Sequence, residues 1–452
     1  MISTIDWLWL SLQTVLLLWI GGREFFRVRN RNVYAIALVG ASLVLVQGQA
    51  WWILAEFAKQ HSVVISHLFK TISVQGARLA NFYIGLSTIC FFFMYAIVSG
   101  RRVSASAKAM SFKNPPAYSK LTGYSLCVWT ALFAVVASNY LGGIQNMIAN
   151  PGQFFGHGAT MFLVLVHVGR FQLLDKIAKA RIIAGLDILL FGSIMLFQLF
   201  NGRSWMLFFL FQLFLLVNYC RRELTRQVLI MGFAIFLFVA VVFGTYRQFS
   251  GIAGIDYFDI KQNYEKYLGM DNAIDWFYAT SEEGFAGLAG ILTSSISQGG
   301  ISHDFGISNL GFWMKFIPYP IRLDPALPFT ELEESISNAY PYKDSITRAG
   351  YESFYGHFGL MGVLGLGLLL GFLAGKLHQK MLNPRYNRLL IALLSAYIVL
   401  PLYGNLHFVF LFWITEIFGL VVFRTIQVGS RMIVVSTVEY KSKTGTDNRA
   451  YD

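Results

Sequence analysis

Residues 354–375, FYGHFGLMGVLGLGLLLGFLAG, are 22 positions without a single Asp, Glu, Lys or Arg. About 20 consecutive apolar residues are enough for a helix to cross a bilayer, so this stretch predicts a transmembrane span. Within it, Gly367 and Gly371 are four residues apart, a spacing that allows two helices to pack closely. The glycines therefore indicate helix packing and not a nucleotide-binding loop.

The rest of the chain shares this apolar composition. Of 452 residues, 56% are hydrophobic and 13% charged, and the mean hydropathy is +0.54. Soluble chains are about one quarter charged, so the sequence predicts a polytopic membrane protein and not two or three soluble domains. The predicted fold is an all-α transmembrane bundle of about eleven spans. The predicted spans are residues 7–22, 33–57, 77–99, 123–141, 158–174, 182–200, 204–219, 227–246, 354–375, 389–405 and 407–423.

One long segment between spans 8 and 9 interrupts this pattern. Residues 247–353 hold 14 of the 24 acidic residues and seven Lys or Arg, in a chain of formal net charge +12. A loop of this length is usually functional or disordered, and its aromatic content argues against disorder. The predicted organisation is spans 1–8 in residues 1–246, a catalytic and substrate-binding loop in 247–353, spans 9–11 in 354–431, and a polar tail in 432–452.

The distribution of basic residues sets the predicted orientation. Of the 36 Lys and Arg, 24 fall on one set of alternate loops and in the C-terminal tail. Because basic residues are enriched on the cytoplasmic face, the C-terminus is predicted inside, and the N-terminus and the long loop outside. The basic residues do not cluster on a soluble face, so no nucleic-acid partner is predicted. The sequence also lacks HExxH, Walker and Cys/His patterns, so no metal or cofactor is predicted.

Three arginines fall at the predicted outer membrane surface, which is otherwise poor in basic residues. Arg203 lies in a tight turn between two spans, Arg247 closes the eighth span, and Arg348 precedes the ninth by a few residues. A guanidinium binds phosphate oxygens bidentately, so the three together predict a site for a pyrophosphate at headgroup depth. The alternative is that each arginine anchors the interface or pairs with a loop carboxylate.

Two parts of the long loop have local signals of their own. Residues 275–296 carry aromatic and apolar side chains, which predict either a surface helix or a re-entrant segment. A re-entrant segment is tolerated at membrane depth if protein buries it. Residues 316–322, FIPYPIR, predict a rigid extended turn, because each proline restricts its own backbone and that of the residue before it.

Several short motifs resemble the Wzy-type oligosaccharide repeat-unit polymerases. The sequence GRS at 202–204 enters a span, YR at 246–247 closes another, and FIP at 316–318 lies in the long outer loop. Many members close this loop with Glu-x-x-Tyr-x-x-Phe-Gly-x-x-Gly, a pattern found here at 352–362. The segment REFFRVR at 23–29 is similar to the enterobacterial common antigen branch of the family.

One position departs from the family pattern. Tyr319 stands where many members have a basic residue, and Lys315 or Arg322 could make that contact instead.

The resemblance implies a specific reaction at the outer face of the bacterial inner membrane. The growing chain on undecaprenyl pyrophosphate is the donor, and a hydroxyl of the incoming lipid-linked unit attacks its anomeric carbon. The arginines stabilise the departing pyrophosphate, so no metal is required. The implied partners are the lipid-linked glycan donor and acceptor, membrane lipid, a chain-length regulator and a flippase.

The same resemblance, together with the placement of polar residues, gives a set of candidate site residues. Glu352 is the first choice for the base that takes the acceptor proton, and His357 is the second. The alternative for Glu352 is a structural pair with Arg348 one helical turn away. The substrate-binding candidates are Arg203, Arg247, Arg348, Arg322, Lys315, Tyr355, Glu282, Glu283 and His303, and the last three are further candidates for the base.

Two other functions remain open from sequence. An O-antigen ligase would use the same lipid carrier and transfer finished glycan to another lipid. A lipid-linked oligosaccharide flippase or transporter would be non-enzymatic, and it would be expected to have inverted repeats and helices interrupted near the midplane. Neither feature is recognisable in the sequence.

Overall fold

The computed structural model describes four long hydrophobic helices and several shorter elements, all within one compact unit of the chain. The described residues are 2–61, 63–65, 70–100, 211, 214–215, 217–221, 223–238, 277–278, 284–300, 303, 305, 350–383, 391 and 395.

Three long helices follow one another at the start of the chain. Helix α1 is Thr4–Phe26 and α4 is Val74–Ser99. Between them, α2 (Val33–Ala41), a π-helical stretch (Ser42–Gln47) and α3 (Gly48–Ala58) run on as one helix of 26 residues. All three are long and apolar enough to cross a membrane. They match the first three predicted spans, residues 7–22, 33–57 and 77–99.

The remaining described elements are shorter, except for the last helix. Strands β1 (Val64–Ile65) and β2 (Lys70–Thr71) pair antiparallel, with Val64 opposite Thr71. The helical elements that follow are a π-helix (Val217–Arg221), α5 (Arg226–Phe238), α6 (Phe285–Gln298) and α7 (Gly350–Leu382). The described part of the chain is therefore helical apart from one two-residue ladder, as the predicted fold class requires. The predicted count of eleven spans depends on segments outside the described residues.

Polar side chains fix the N-terminal ends of α1 and α4. Ser3 caps α1 in a reciprocal arrangement, because Ser3 N donates to Asp6 Oδ2 at 2.8 Å and Asp6 N donates to Ser3 Oγ at 3.4 Å. Arg78 Nε donates to the same Asp6 oxygen at 2.9 Å and so joins the two helices. Ser73 caps α4 by accepting from Gly76 N at 2.9 Å.

A second polar junction joins the helices at the opposite, predicted cytoplasmic, end. Asn32 is fully buried and its Nδ2 donates to the Tyr95 hydroxyl at 3.3 Å and to the Ala374 carbonyl at 3.0 Å. Glu24 is also fully buried, and Arg27 Nη1 lies 3.2 Å from its Oε2. A buried polar or charged group is costly without partners, so these contacts are expected to be kept. They connect α1, α2, α4 and α7.

Helices α4 and α7 approach each other along a row of glycines. A Cβ added at Gly371 would lie 2.5 Å from the Phe91 carbonyl oxygen, and one at Gly367 would overlap the backbone of Ser87. Only small residues allow two backbones to come this close. The prediction that Gly367 and Gly371 serve close helix packing is confirmed.

Replacing Gly371 by Leu is expected to force α4 and α7 apart and to destabilise the protein by at least about 1–3 kcal/mol, the usual cost of overpacking. The matched control is Gly365→Leu on the same helix, because a Cβ at Gly365 has no atom within 4 Å. Thermal unfolding of both variants in detergent measures the difference. Equal melting temperatures would contradict the close packing at Gly371.

Helix α7 contains a reversal of the chain. Gly359 has φ 60° and ψ −148°, a conformation essentially restricted to glycine. A Cβ at Gly362 would lie 2.7 Å from the carbonyl carbon of Phe354, eight residues earlier. In a straight helix these residues would be separated by about 12 Å along the axis. Residues 350–358 therefore fold back beside residues 360–382, and we call these two parts α7a and α7b.

The reversal corrects the predicted ninth span. The predicted start is residue 354 because residues 354–375 contain no charged side chain. In the structure the crossing helix is α7b, whose 23 residues are about 34 Å long. α7a is a separate half-helix on the N-terminal side of the reversal.

Helix α6 is a second half-helix that begins deep in the bundle. Ala286 N, in its first turn, donates at 2.9 Å to the side chain of Gln49, which lies nine residues before the end of α3. Its other end reaches the start of α4, where Ser73 N donates to Thr293 Oγ1 at 3.0 Å. Of the two predicted forms for residues 275–296, the described part is thus re-entrant and covered by protein.

Candidate functional site

Four of the predicted site residues lie within the described residues. Glu352, Tyr355 and His357 are on α7a, and His303 lies beside it. The other predicted site residues lie outside the described residues. They are Arg203, Arg247, Arg348, Arg322, Lys315, Glu282 and Glu283.

Tyr355 is the point where the elements of the site meet. Its ring stacks on Tyr83 of α4 with centroids 6.0 Å apart, and it meets His303 edge-on at 5.5 Å. Its hydroxyl lies beside Ser295 near the end of α6. Such aromatic pairs are worth about 0.5–1.5 kcal/mol beyond burial, so Tyr355 holds α4, α6, α7a and His303 together. The sequence analysis named Tyr355 from the 352–362 motif and His303 as a candidate base in the loop, and the structure brings them into contact.

The ring of His303 has a defined orientation and tautomer. Its Nδ1 lies 3.0 Å from the Gly356 carbonyl oxygen. A carbonyl oxygen can only accept, so Nδ1 carries the hydrogen, and Nε2 of the neutral ring is left as a proton acceptor. Nε2 faces Gly359, where a Cβ would lie 3.0 Å away. An imidazole held by its other nitrogen in this way has the arrangement of a general base.

The same short segment holds the C-terminal end of α7a. Phe305 N donates to the His357 carbonyl at 3.0 Å, and Phe305 itself has a left-handed φ of 50°. The reversal at Gly359 ends the half-helix, so its last carbonyls lose their helical partners. The hydrogen bonds from His303 to the Gly356 carbonyl and from Phe305 to the His357 carbonyl replace two of them. The segment at 303–305 therefore fixes both the reversal and the position of His303.

Glu352 and His357 are both buried, each with 3% of its surface exposed. Glu352 lies in the first turn of α7a, where the helix dipole favours a negative charge. The preceding residue, Tyr351, lies beside Ser87, midway along α4. The prediction had placed Glu352 where the loop re-enters the membrane. Its observed place is deeper, because α7a runs back from the reversal towards the middle of the bundle.

Cationic side chains are the remaining part of the predicted site. Arg78 is at the same end of the bundle, and it pairs with Asp6 at 2.9 Å. Convergence of Arg203, Arg247 and Arg348 on one anion stays a prediction, since all three lie outside the described residues. Within the described ranges, no group of three His, Cys, Asp or Glu side chains is placed to hold a metal ion.

Three residues around the site were not found from sequence. Tyr83 and Ser295 contact Tyr355, and nothing in their local sequence distinguishes them from other span or loop residues. Gln49 contacts the start of α6. A glutamine inside an apolar span is a usable signal, because its amide needs a polar partner at that depth.

Comparison with known proteins adds no relative to this geometry: no family model, curated protein or solved structure matches the chain.

Proposed function

We propose that this protein is a glycosyltransferase of the bacterial inner membrane that polymerises oligosaccharide units carried on undecaprenyl pyrophosphate at the periplasmic face. The observation that carries the proposal is the contact between His303 and Tyr355, with Glu352 and His357 buried on the same half-helix as Tyr355, next to a chain reversal at one end of a long apolar helix. Three of the four lie in the 352–362 pattern that resembles the polymerases.

The proposed chemistry uses these groups for proton transfer. The acceptor hydroxyl oxygen forms a bond to the anomeric carbon of the donor chain, and the bond from that carbon to the pyrophosphate oxygen breaks. The reaction passes through an oxocarbenium-like state. The acceptor proton moves to a base, Glu352 in the first instance, and undecaprenyl pyrophosphate leaves with the bonding electron pair. Arg203, Arg247 and Arg348 stabilise its charge.

The depth of the half-helices supports a lipid-borne substrate. The reacting centre of a lipid-linked sugar is held near the membrane surface by its carrier chain. α6 and α7a both run from inside the bundle towards the N-terminal end of α4. They therefore line up polar side chains at the depth where such a pyrophosphate would enter, and they exclude water from the acid–base groups.

A transporter of the same lipid-linked units is a second candidate function, and one observation favours it. No interrupted helices are recognisable in the sequence, whereas in the structure α6 and α7a are half-helices that start within the bundle. Helices of this kind form substrate sites in many transporters. The concentration of acidic residues in one long loop, predicted to lie outside, favours chemistry at a single face over transport.

Analysis of glycans in a deletion strain separates the candidates. Loss of a polymerase leaves single repeat units attached to the final lipid acceptor. Loss of a ligase leaves none attached. Loss of a transporter leaves lipid-linked units on the cytoplasmic face, where an external lectin reaches them only after the spheroplasts are lysed. Long chains persisting in the deletion strain would exclude the polymerase.

Residues 247–353 are expected to lie outside the cytoplasm. In a background without Cys90, Cys127 and Cys220, Ala253→Cys should react with a membrane-impermeant thiol reagent in intact spheroplasts. Ser442→Cys in the tail is the control, and it should react only after lysis. Labelling of residue 253 only after lysis would contradict the orientation and the proposed periplasmic site.

A further inference from the structure

Gln49 makes an unusual pair of contacts deep in the second span. It is fully buried, its Oε1 accepts from Ala286 N at 2.9 Å, and its Nε2 donates to the Tyr278 carbonyl at 3.0 Å. One side chain in the N-terminal part of the protein thus binds two backbone groups of the long loop, which are eight residues apart in sequence.

The contact needs an amide side chain. A backbone N–H and a backbone C=O buried at this depth both require partners, because no water is present to supply them. A primary amide is the neutral group that carries a donor and an acceptor at the same end. Gln49 therefore replaces water for the start of α6.

The fit around Gln49 leaves the turn little freedom to move. A Cβ at Gly48 would overlap the Tyr278 hydroxyl, and one at Gly284, where φ is 93°, would lie 2.7 Å from the Leu45 carbonyl oxygen. The start of α6 is thus seated directly against the backbone of the second span, and the Gln49 amide fixes its register there.

Helix α6 extends from Gln49 to the candidate site. Phe285, Leu288 and Ile291 are fully buried along it, so it is packed as one rigid element over most of its length. One turn beyond Ile291, Ser295 lies beside the hydroxyl of Tyr355. A shift at the Gln49 end is therefore transmitted to the ring that contacts His303.

We propose that Gln49 is a positioning residue of the polymerase: by holding the start of α6 it sets the placement of Tyr355 and His303. The inference rests on the proposed function for its effect on turnover, but its effect on α6 is independent of that function. Gln49 acts through the position of α6 and not on the reacting atoms. Its loss changes the rate of the reaction and leaves substrate affinity in place.

The test compares Gln49→Met with Gln47→Met. Methionine keeps the length and helix propensity of glutamine and removes both hydrogen bonds. Gln47 is the matched control, because it is 2% exposed and its Nε2 donates to Gln13 Oε1 at 3.0 Å, on α1 and away from α6. If Gln49→Met does not accumulate in the membrane, Gln49→Asn serves in its place, because its amide keeps a polar group at this depth but is one methylene too short to reach both Ala286 N and the Tyr278 carbonyl.

Two readouts are needed, and one does not involve catalysis. Ser73→Cys with Thr293→Cys, in a background without the three native cysteines, reports the placement of α6, because the two native hydroxyl oxygens are 3.2 Å apart. The rate of disulfide formation is expected to fall in Gln49→Met and to stay unchanged in Gln47→Met. In the polymerisation assay, kcat of Gln49→Met should fall on the order of 10²-fold, as for a small misplacement of reacting groups, with KM unchanged.

The outcomes separate the two claims. Unchanged cross-linking in Gln49→Met, or normal kcat despite lost cross-linking, would overturn the proposal. A fall in kcat that Gln47→Met reproduces would also overturn it, because the effect would then be general loss of stability. If the unmodified protein polymerises nothing while the cross-linking pattern holds, the proposed function fails and the anchoring of α6 by Gln49 stands.

Discussion

Replacing Glu352 by Gln is expected to slow polymerisation by about 10²-fold or more, the usual contribution of a general base. The amide keeps the size of the side chain but cannot take a proton from the acceptor hydroxyl. Glu352 is 3% exposed and lies in the first turn of α7a, so the substitution should leave the half-helix folded. The measurement is the rate of chain elongation by purified protein, with donor binding measured separately and expected to persist.

Two further variants distinguish a general base from a structural role for Glu352. In a purely structural pair with Arg348, Glu352→Gln would be tolerated, and the double variant with Arg348 would show strong coupling in stability. His303→Gln removes another candidate base, whose ring is held by the contact between its Nδ1 and the Gly356 carbonyl. If Glu352→Gln makes chains at the wild-type rate and His303→Gln does not, His303 is the base and Glu352 has no part in the chemistry.

Replacing Gly359 by Val is expected to abolish polymerisation and to lower stability together. The backbone at Gly359 has φ 60° and ψ −148°, which costs about 1–3 kcal/mol for a residue other than glycine and more for a β-branched one. The added Cβ would also lie 3.0 Å from His303 Nε2. The chain reversal would then open or His303 would be displaced, and either change removes the site.

Gly365→Val is the matched control for this prediction. It lies on α7b, where an added Cβ has no atom within 4 Å, and at this helical position valine has no lower helix propensity than glycine. The melting temperature and elongation rate of Gly365→Val should stay close to those of the unmodified protein. If Gly359→Val is as active as Gly365→Val, the reversal is not needed for function.

Hydropathy was sufficient for some parts of the fold and insufficient for others. It located the helices Thr4–Phe26, Val33–Ala58 and Val74–Ser99 to within a few residues, because lipid-facing helices must be apolar along their whole length. The spacing of Gly367 and Gly371 predicted close packing, because glycines four residues apart lie on one helix face and let a second backbone approach it. In both cases the physical requirement acts on a local stretch of sequence.

The sequence does not predict the chain reversal at Gly359, and it leaves the surface and re-entrant forms of residues 275–296 open, because the contacts that decide both are not local. Residues 354–375 carry no charged side chain on either side of Gly359, so the absence of charge does not mark the reversal. It is fixed by the bonds from 303–305 to the backbone at 356–357, which are about 50 residues away in sequence. The depth of α6 likewise depends on Gln49, more than 200 residues earlier.

The residues of the candidate site could be predicted from local sequence, but the contacts between them could not. Motif similarity identified Glu352, Tyr355 and His357 because they share one short segment, whereas His303 was a separate candidate base in the loop. It could not show that His303 meets the ring of Tyr355, or that Glu352 faces into the bundle. These relations depend on the chain reversal at Gly359.

The most direct test of the proposed polymerase is elongation by the purified protein in liposomes. The probe is the lipid-linked repeat unit extracted from the deletion strain, added to the outside of the vesicles, with products resolved by gel electrophoresis and mass spectrometry. The expected result is a ladder of glycans lengthened by whole repeat units, with one undecaprenyl pyrophosphate released for each unit added. Units that remain single, with no undecaprenyl pyrophosphate released, would contradict the polymerase, whether or not the units cross the membrane.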